Sequence, residues 1–184
     1  MSGMYGMNIK MAIYGESHGA SIGLVIDGVP PGLKLDLEAI EKEMARRAPG
    51  KNQLSTQRKE SDSFAIQSGF FEGYTTGTPL CVVIKNSDQH SKDYSILKDK
   101  MRPGHADYAG FVRYQGFNDY RGGGHFSGRL TAPLVFIGAV AKQALAQEGL
   151  LVGAHILQIA DIEEENFNPL GIDDKMVAEL NAKD

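Results

Sequence analysis

Two histidines stand in loops rich in glycine and charge, where packing does not call for them. His18 lies in Gly15-Glu16-Ser17-His18-Gly19, and His105 in Met101-Arg102-Pro103-Gly104-His105-Ala106-Asp107. Imidazole titrates closest to neutrality, so each can give or take a proton at working pH. A third cluster, Arg121-Gly122-Gly123-Gly124-His125-Phe126-Ser127-Gly128-Arg129, sets Arg121, His125, Ser127 and Arg129 around a glycine run. Such a run lets a ligand approach the backbone closely and turns N–H groups toward an anion. Arg46-Arg47-Ala48-Pro49-Gly50 and the loop Thr56-Gln57-Arg58-Lys59-Glu60-Ser61-Asp62 add guanidiniums whose planar forks suit phosphate or carboxylate. Together these residues point to proton transfer beside a bound anion. Blander readings stand beside that one: Arg46 and Arg47 also suit a helix C-terminus through its dipole, and a glycine run also reads as a plain loop.

Other chemistries fit less well. Gly15-Glu16-Ser17-His18-Gly19 matches the Gly-x-Ser-x-Gly elbow of α/β-hydrolases, but that elbow needs a helix after it, and the next segment alternates like a strand before Pro30-Pro31. The glycine run lacks the order of a P-loop or of a dinucleotide-binding turn. His90 reads as part of a solvated loop and His155 as a structural residue of an apolar strand. With a single cysteine and no spaced ligand set, no metal site is expected.

The elements that must hold these loops follow from periodicity. Asn8 to Tyr14 and Ser21 to Asp27 read as strands, the second with Ile22, Leu24 and Ile26 on one face. Asp36 predicts an N-cap for a helix that carries Leu37, Ile40 and Met44 to Arg46-Arg47. Residues 48–62 form a polar loop. Ser63 to Glu72 and Leu80 to Lys85 read as strands, and Ala106 to Tyr114 as a short helix. Thr131 is the expected cap of a helix running to Gly149, with Pro133 in its first turn. Leu150 to Ile162 reads as a strand, and Asp173 to Ala182 as a closing helix. Strands and helices mix without a β-α-β rhythm, which predicts an α+β class.

Composition narrows the partners. The 184 residues suffice for one domain, and the net charge is −4. Residues 161–184 hold eight acids against two lysines, while all seven arginines fall within 46–129. That balance is too weakly basic for a nucleic-acid groove. No leader pattern opens the sequence, and no apolar run reaches the length of a membrane span, the best being Leu134 to Ala141. Cys81, in Pro79-Leu80-Cys81-Val82-Val83-Ile84, reads as a buried strand residue and fits a reducing, cytoplasmic setting.

Taken in order, these segments resemble chorismate synthases. The matching stretches are Tyr14-Gly15-Glu16-Ser17-His18-Gly19, Asp27-Gly28-Val29-Pro30-Pro31-Gly32, Arg46-Arg47-Ala48-Pro49-Gly50 and Ser68-Gly69-Phe70-Phe71-Glu72-Gly73. Thr75-Thr76-Gly77-Thr78-Pro79, Asp93-Tyr94, Arg102-Pro103-Gly104-His105-Ala106-Asp107 and Asp119-Tyr120-Arg121-Gly122-Gly123-Gly124 follow, colinear from about residue 8 to about 160. The resemblance implies a β-α-β layered sandwich built from two similar halves, assembled as a homotetramer. It also implies a flavin-dependent lyase that removes phosphate from 5-enolpyruvylshikimate 3-phosphate by 1,4-elimination to give chorismate. That reaction, in aromatic amino acid biosynthesis, needs reduced FMN although it is redox-neutral overall. By position, His18 is similar to the acid that protonates the departing phosphate, and His105 to the group that supports the anionic flavin. Arg46, Arg47, Arg58 and Arg129 are the expected substrate contacts. His125, Phe126 and Ser127, with Arg47, are the expected cofactor contacts. NADPH stays open as the flavin's reductant.

Two departures qualify this. The common pattern after the glycine run is Arg-Ser-Ser-Ala-Arg-Glu-Thr, where this chain has His125-Phe126-Ser127-Gly128-Arg129-Leu130-Thr131, and Gln53 replaces an arginine many members carry. Full members are also about twice as long, so the expectation is an N-terminal half, from truncation or an interrupted frame. Its acidic end, 161–184, is then expected to pack poorly. The alternative is a non-catalytic fragment that binds an anion or a partner chain.

Overall fold

The computed structural model describes residues 3–48, 61–87, 94, 98–164 and 170–182. The chain divides into two compact units, Met1–Ala139 and Val140–Asp184.

The first unit is built on an antiparallel sheet. Its strands are β1 (Met4–Tyr5), β2 (Lys10–Gly15), β3 (Ser21–Asp27), β4 (Phe64–Ser68) and β7 (Leu80–Lys85), in the order β1-β2-β3-β7-β4. Period-2 alternation explains the central pair. Ile22, Leu24 and Ile26 face the core from β3, paired with Ile84, Val82 and Leu80 of β7, and all six are fully buried. Cys81 and Val83 fall on the opposite face and are only half-buried, so the strand expected around Cys81 forms but its thiol is not in the core. Helix α1 (Leu37–Arg47) adds Ile40 and Met44 to the buried set, and its start is capped by the Asp36 carboxylate, which accepts from the Ala39 N–H at 3.0 Å. Phe136 of α3 (Thr131–Gln147) joins the core edge-to-face with Phe64, at 4.9 Å between ring centres. The architecture is α+β.

The stretch expected as one strand from Ser63 to Glu72 is broken. A bulge between Ile66 and Ser68 ends the regular register, and Gly69, at φ +80°, presses so closely on Leu80 that a side chain would strike its Cα. The chain then makes a separate hairpin, β5 (Phe70–Phe71) with β6 (Tyr74–Thr75), turning through Glu72 and Gly73, both at positive φ. Helix α2 (Asp107–Arg113) matches the short helix expected after His105. Thr131 begins α3 but does not cap it, since its hydroxyl donates to the Gly128 carbonyl at 2.7 Å. Arg121–Gln147 is long and apolar enough by composition to cross a membrane, which the apolar runs of the sequence did not lead us to expect. Its continuous α-helix starts only at Thr131, because Gly122, Gly123 and Gly124 all adopt positive φ and kink the chain.

In the second unit, residues 151–157 have no regular structure and are exposed. The strand expected from Leu150 to Ile162 is replaced by a small hairpin, β8 (Gln158–Ile159) with β9 (Ile162–Glu163), turning at Ala160 with φ +54°. An apolar run alone does not make a strand; a paired edge does. His155 is correspondingly exposed, with Nδ1 3.1 Å from the Glu164 carboxylate. Among the described residues of the acidic end, α4 (Asp174–Ala182) buries Leu180, and its Asn181 accepts from Lys142 and donates to the Val152 carbonyl.

Candidate functional site

The triple glycine brings the two singled-out histidines to one place. A Cβ on Gly122 would lie 2.5 Å from His18 Nε2 and 2.7 Å from Ser17 Oγ, and a Cβ on Gly123 would lie 2.5 Å from His105 Cε1 and 2.8 Å from its Nε2. Each imidazole thus rests on a position where no side chain fits. The φ values of +58° and +85° independently favour glycine there. The run is a seat for the two rings, not a slack loop.

Each ring arrives by its own support. The His18 loop hangs between β2 and β3. On one side the Ser17 N–H donates to the Gly124 carbonyl at 3.1 Å, and the Ser17 hydroxyl lies 3.1 Å from the Gly122 and 3.3 Å from the Arg121 carbonyl. On the other side the Asn86 amide donates to the carbonyls of Glu16 (3.0 Å) and Gly19 (2.9 Å). His18 is only 5% exposed and meets the Tyr94 ring edge-to-face at 4.9 Å. His105 Nδ1 lies 2.7 Å from Asp107 Oδ1, without the alignment of a hydrogen bond.

Two half-exposed arginines flank this centre, each forked onto a carboxylate. Arg102 donates through Nε (2.8 Å) and Nη2 (2.9 Å) to Asp107, and Arg121 through Nε (2.8 Å) and Nη2 (2.7 Å) to Asp119. The Arg102 hydrogen bonds hold the Asp107 carboxyl well below the usual carboxylate range, against the opposing effect of burial. Arg121 lowers Asp119 in the same way, with the charge of His18 helping. Both arginines are raised by their carboxylates in return. The centre therefore holds fixed charge of both signs beside two imidazoles.

The other expected anion contacts sit elsewhere. Arg46 is exposed and pairs with Glu43 at 3.1 Å, one turn back on α1. Arg47 donates from Nε to Asp62 at 2.8 Å and from Nη1 to the Thr131 hydroxyl at 3.1 Å. Arg129, expected at the substrate, is only 6% exposed; it pairs with Asp62 and donates to Asn86 Oδ1 (3.1 Å) and the Lys85 carbonyl (3.4 Å). Those donors are spent inside the protein. Arg58, His90 and Gln53 lie outside the described residues. Asp62 and Asn86 went unremarked as site residues in the sequence, because their partners are up to 70 residues away.

Of the expected cofactor contacts, His125 Nδ1 lies 2.9 Å from the Gly15 carbonyl. A carbonyl only accepts, so Nδ1 carries the proton. Phe126 packs on Gly110 and beside Tyr114. Ser127 turns inward, accepting from the Arg129 N–H at 3.2 Å. A cavity of about 470 Å³ opens between Ile13, Glu16, Tyr114, Phe117, His125 and Phe126, and a smaller one of about 200 Å³ lies against Asp107, Asp119 and Gly123. The larger volume and its aromatic wall suit a flat, drug-sized ring.

A sequence model of the chorismate synthase family matches residues 9–183. The chain belongs to the chorismate synthase family. It is 49% identical over 166 residues to chorismate synthase of Pyrococcus abyssi, covering 89% of this chain and 46% of that protein. It is 50% identical over 164 residues to the chorismate synthase of a Nitratiruptor species, again covering 89% of this chain and 46% of that protein. A crystal structure of chorismate synthase superposes with a TM-score of 0.62 at 29% identity, over 86% of this chain and 40% of that one. The chain thus spans about half the length of the curated chorismate synthases it matches. The resemblance read from the ordered motifs and the α+β class both hold.

Proposed function

We propose that the protein acts as a chorismate synthase, a lyase that eliminates phosphate from 5-enolpyruvylshikimate 3-phosphate to give chorismate. The observation that carries this reading is the seating of His18 and His105 on adjacent glycines between two carboxylate-forked arginines. His18, buried and clamped on both sides of its loop, is the acid that delivers a proton to the departing phosphate. Arg121 and Arg102, fixed and half-exposed, supply positive charge to that anion. Arg46, exposed at the end of α1, and Arg58 add to the substrate contacts, while Arg47 and Arg129, whose donors go to Asp62 and its neighbours, act from inside.

The aromatic cavity fits the flavin ring. Tyr114, Phe117 and Phe126 would hold it, with His125 at its edge and Ser127 holding the turn behind. When bound, reduced FMN lends electron density to the substrate and takes it back. His105, steadied by Asp107, offers a proton or positive charge to the anionic ring. NADPH as the flavin's reductant, a homotetramer and a cytoplasmic setting belong to the same reading.

Anaerobic assay with reduced FMN and 5-enolpyruvylshikimate 3-phosphate tests it, on this chain and on the chain joined to the remaining length of a relative. Chorismate from either supports the lyase. Flavin or phosphate binding without product from both favours a non-catalytic binding fragment, the reading that the half-length match keeps open.

A further inference from the structure

The His18 loop is held by a residue that no catalytic argument singles out. Asn86 follows directly on β7, whose last residue, Lys85, pairs with Ser21 of β3. That register sets Asn86 opposite Ala20, and its backbone N–H donates to the Ala20 carbonyl at 3.2 Å, a bond that any residue but proline would make there. The side chain does more. Its two amide protons go to the Glu16 and Gly19 carbonyls, the two ends of the turn that carries His18, and its Oδ1 accepts from Arg129 Nε. The turn itself is closed by a bond from the Gly19 N–H to the Glu16 carbonyl at 3.0 Å.

Only a primary amide of this length meets those demands. Aspartate keeps the acceptor and loses both donors; serine has one donor; glutamine is longer by a methylene. Behind Asn86 the network continues inward. Arg129 pairs with Asp62, which is 2% exposed and also takes Arg47 Nε at the end of α1. Asp62 adopts φ +52°, so the backbone turns sharply to place that carboxylate between the two guanidiniums. The buried chain Arg47–Asp62–Arg129–Asn86 thus ends on the two carbonyls that bracket His18. Every link is a charge-assisted or amide bond in a low-dielectric interior, where such networks are rigid when satisfied.

We infer that Asn86 is a positioning residue for His18, fixing the loop so that its imidazole meets Gly122 and Tyr94 in one orientation. That His18 passes a proton to substrate rests on the function proposed above; that Asn86 places it does not. The test therefore has two arms. In the first, the 184-residue chain is labelled at its histidines and backbone for NMR. The Tyr94 ring, 4.9 Å from His18, gives the His18 ring protons a shift that depends on their placement. Asn86→Asp, which keeps the size and the acceptor for Arg129 but removes both donors, is expected to return those signals toward free histidine. It is also expected to speed amide exchange of Ser17 to Gly19 by at least about tenfold, while β3, β7 and His155 keep their parent values. Arg129→Lys, which keeps a cation opposite Asp62 but loses the Nε donor, is expected to shift the same loop signals to a smaller extent.

In the second arm, Asn86→Asp in the chain joined to the remaining length of a relative is expected to lose about 10²-fold in kcat with KM within about twofold, as for a misplaced acid. Loop signals that stay at parent values in both variants would overturn the inference, as would exchange that accelerates equally throughout β3 and β7. If the parent enzyme forms no chorismate, the functional reading falls and the NMR arm still decides the role of Asn86.

Discussion

His18 and His105 meet the chain at consecutive residues: the Nε2 edge of one lies on Gly122 and that of the other on Gly123. Two loops about ninety residues apart in sequence are thereby registered against a single dipeptide. One peptide plane joins the two seats.

That relationship makes the glycines sensitive to a single methyl group. Gly122→Ala and Gly123→Ala each add a Cβ about 2.5 Å from an imidazole atom, at a φ that alanine resists. Each should cost about 1–3 kcal/mol in stability and displace its histidine. Gly138, exposed in α3 with open space where a Cβ would stand, is the contrast. Gly138→Ala should stabilise by up to about 1 kcal/mol through helix propensity. Urea titrations of the three variants check both signs.

Removal of the proposed acid should be felt in turnover far more than in folding. His18→Ala in the chain joined to the remaining length of a relative is expected to lower kcat by about 10²–10⁴-fold, with a lowered melting temperature from the lost packing of its buried ring. Unchanged chorismate formation would remove His18 from the chemistry.

Asp62 carries the charge balance of the interior. Asp62→Asn keeps a residue that tolerates positive φ, so the variant isolates the charge. It leaves Arg129 buried without its counter-ion, which should cost about 3–5 kcal/mol. Denaturant unfolding of the chain measures this, and a loss below about 1 kcal/mol would mean that water or another group compensates Arg129.

Acid should loosen the His105 loop through Asp107. Arg102 depresses this carboxyl in the folded protein relative to its unfolded value of about 3.9. The stabilisation is therefore complete above that value and is lost as pH falls below it toward the folded one. Asp119, held by Arg121, acts in the same direction. Between about pH 6 and pH 3 the parent's urea midpoint should fall more steeply than that of Arg102→Gln, which has no such increment to lose. Parallel curves would show that the ion pair adds nothing to folding.

Much of this was legible in the residues themselves. Alternation in Ser21–Asp27 and Leu80–Lys85 announced the central strands, Asp36 announced α1, and both histidines stood out by type and setting. Local rules decide such features, since a pleat or a cap involves neighbours a few residues apart. Where expectation and structure part, the partner was missing: Leu150 to Ile162 had the composition of a strand but pairs only as a four-residue hairpin, and Ser63 to Glu72 broke at Gly69 because Leu80 stands against it.

By itself the sequence determined the family, the two imidazoles and the glycine run that receives them, because residue type and order along the chain carry that information. Only the tertiary structure decided that Gly122 and Gly123 seat those rings, that Arg47 and Arg129 converge on Asp62, and that Asn86 grips the His18 turn. Those contacts join residues 15 to 104 positions apart, and nothing in local propensity specifies a bond across such a distance; it exists only once the sheet has closed.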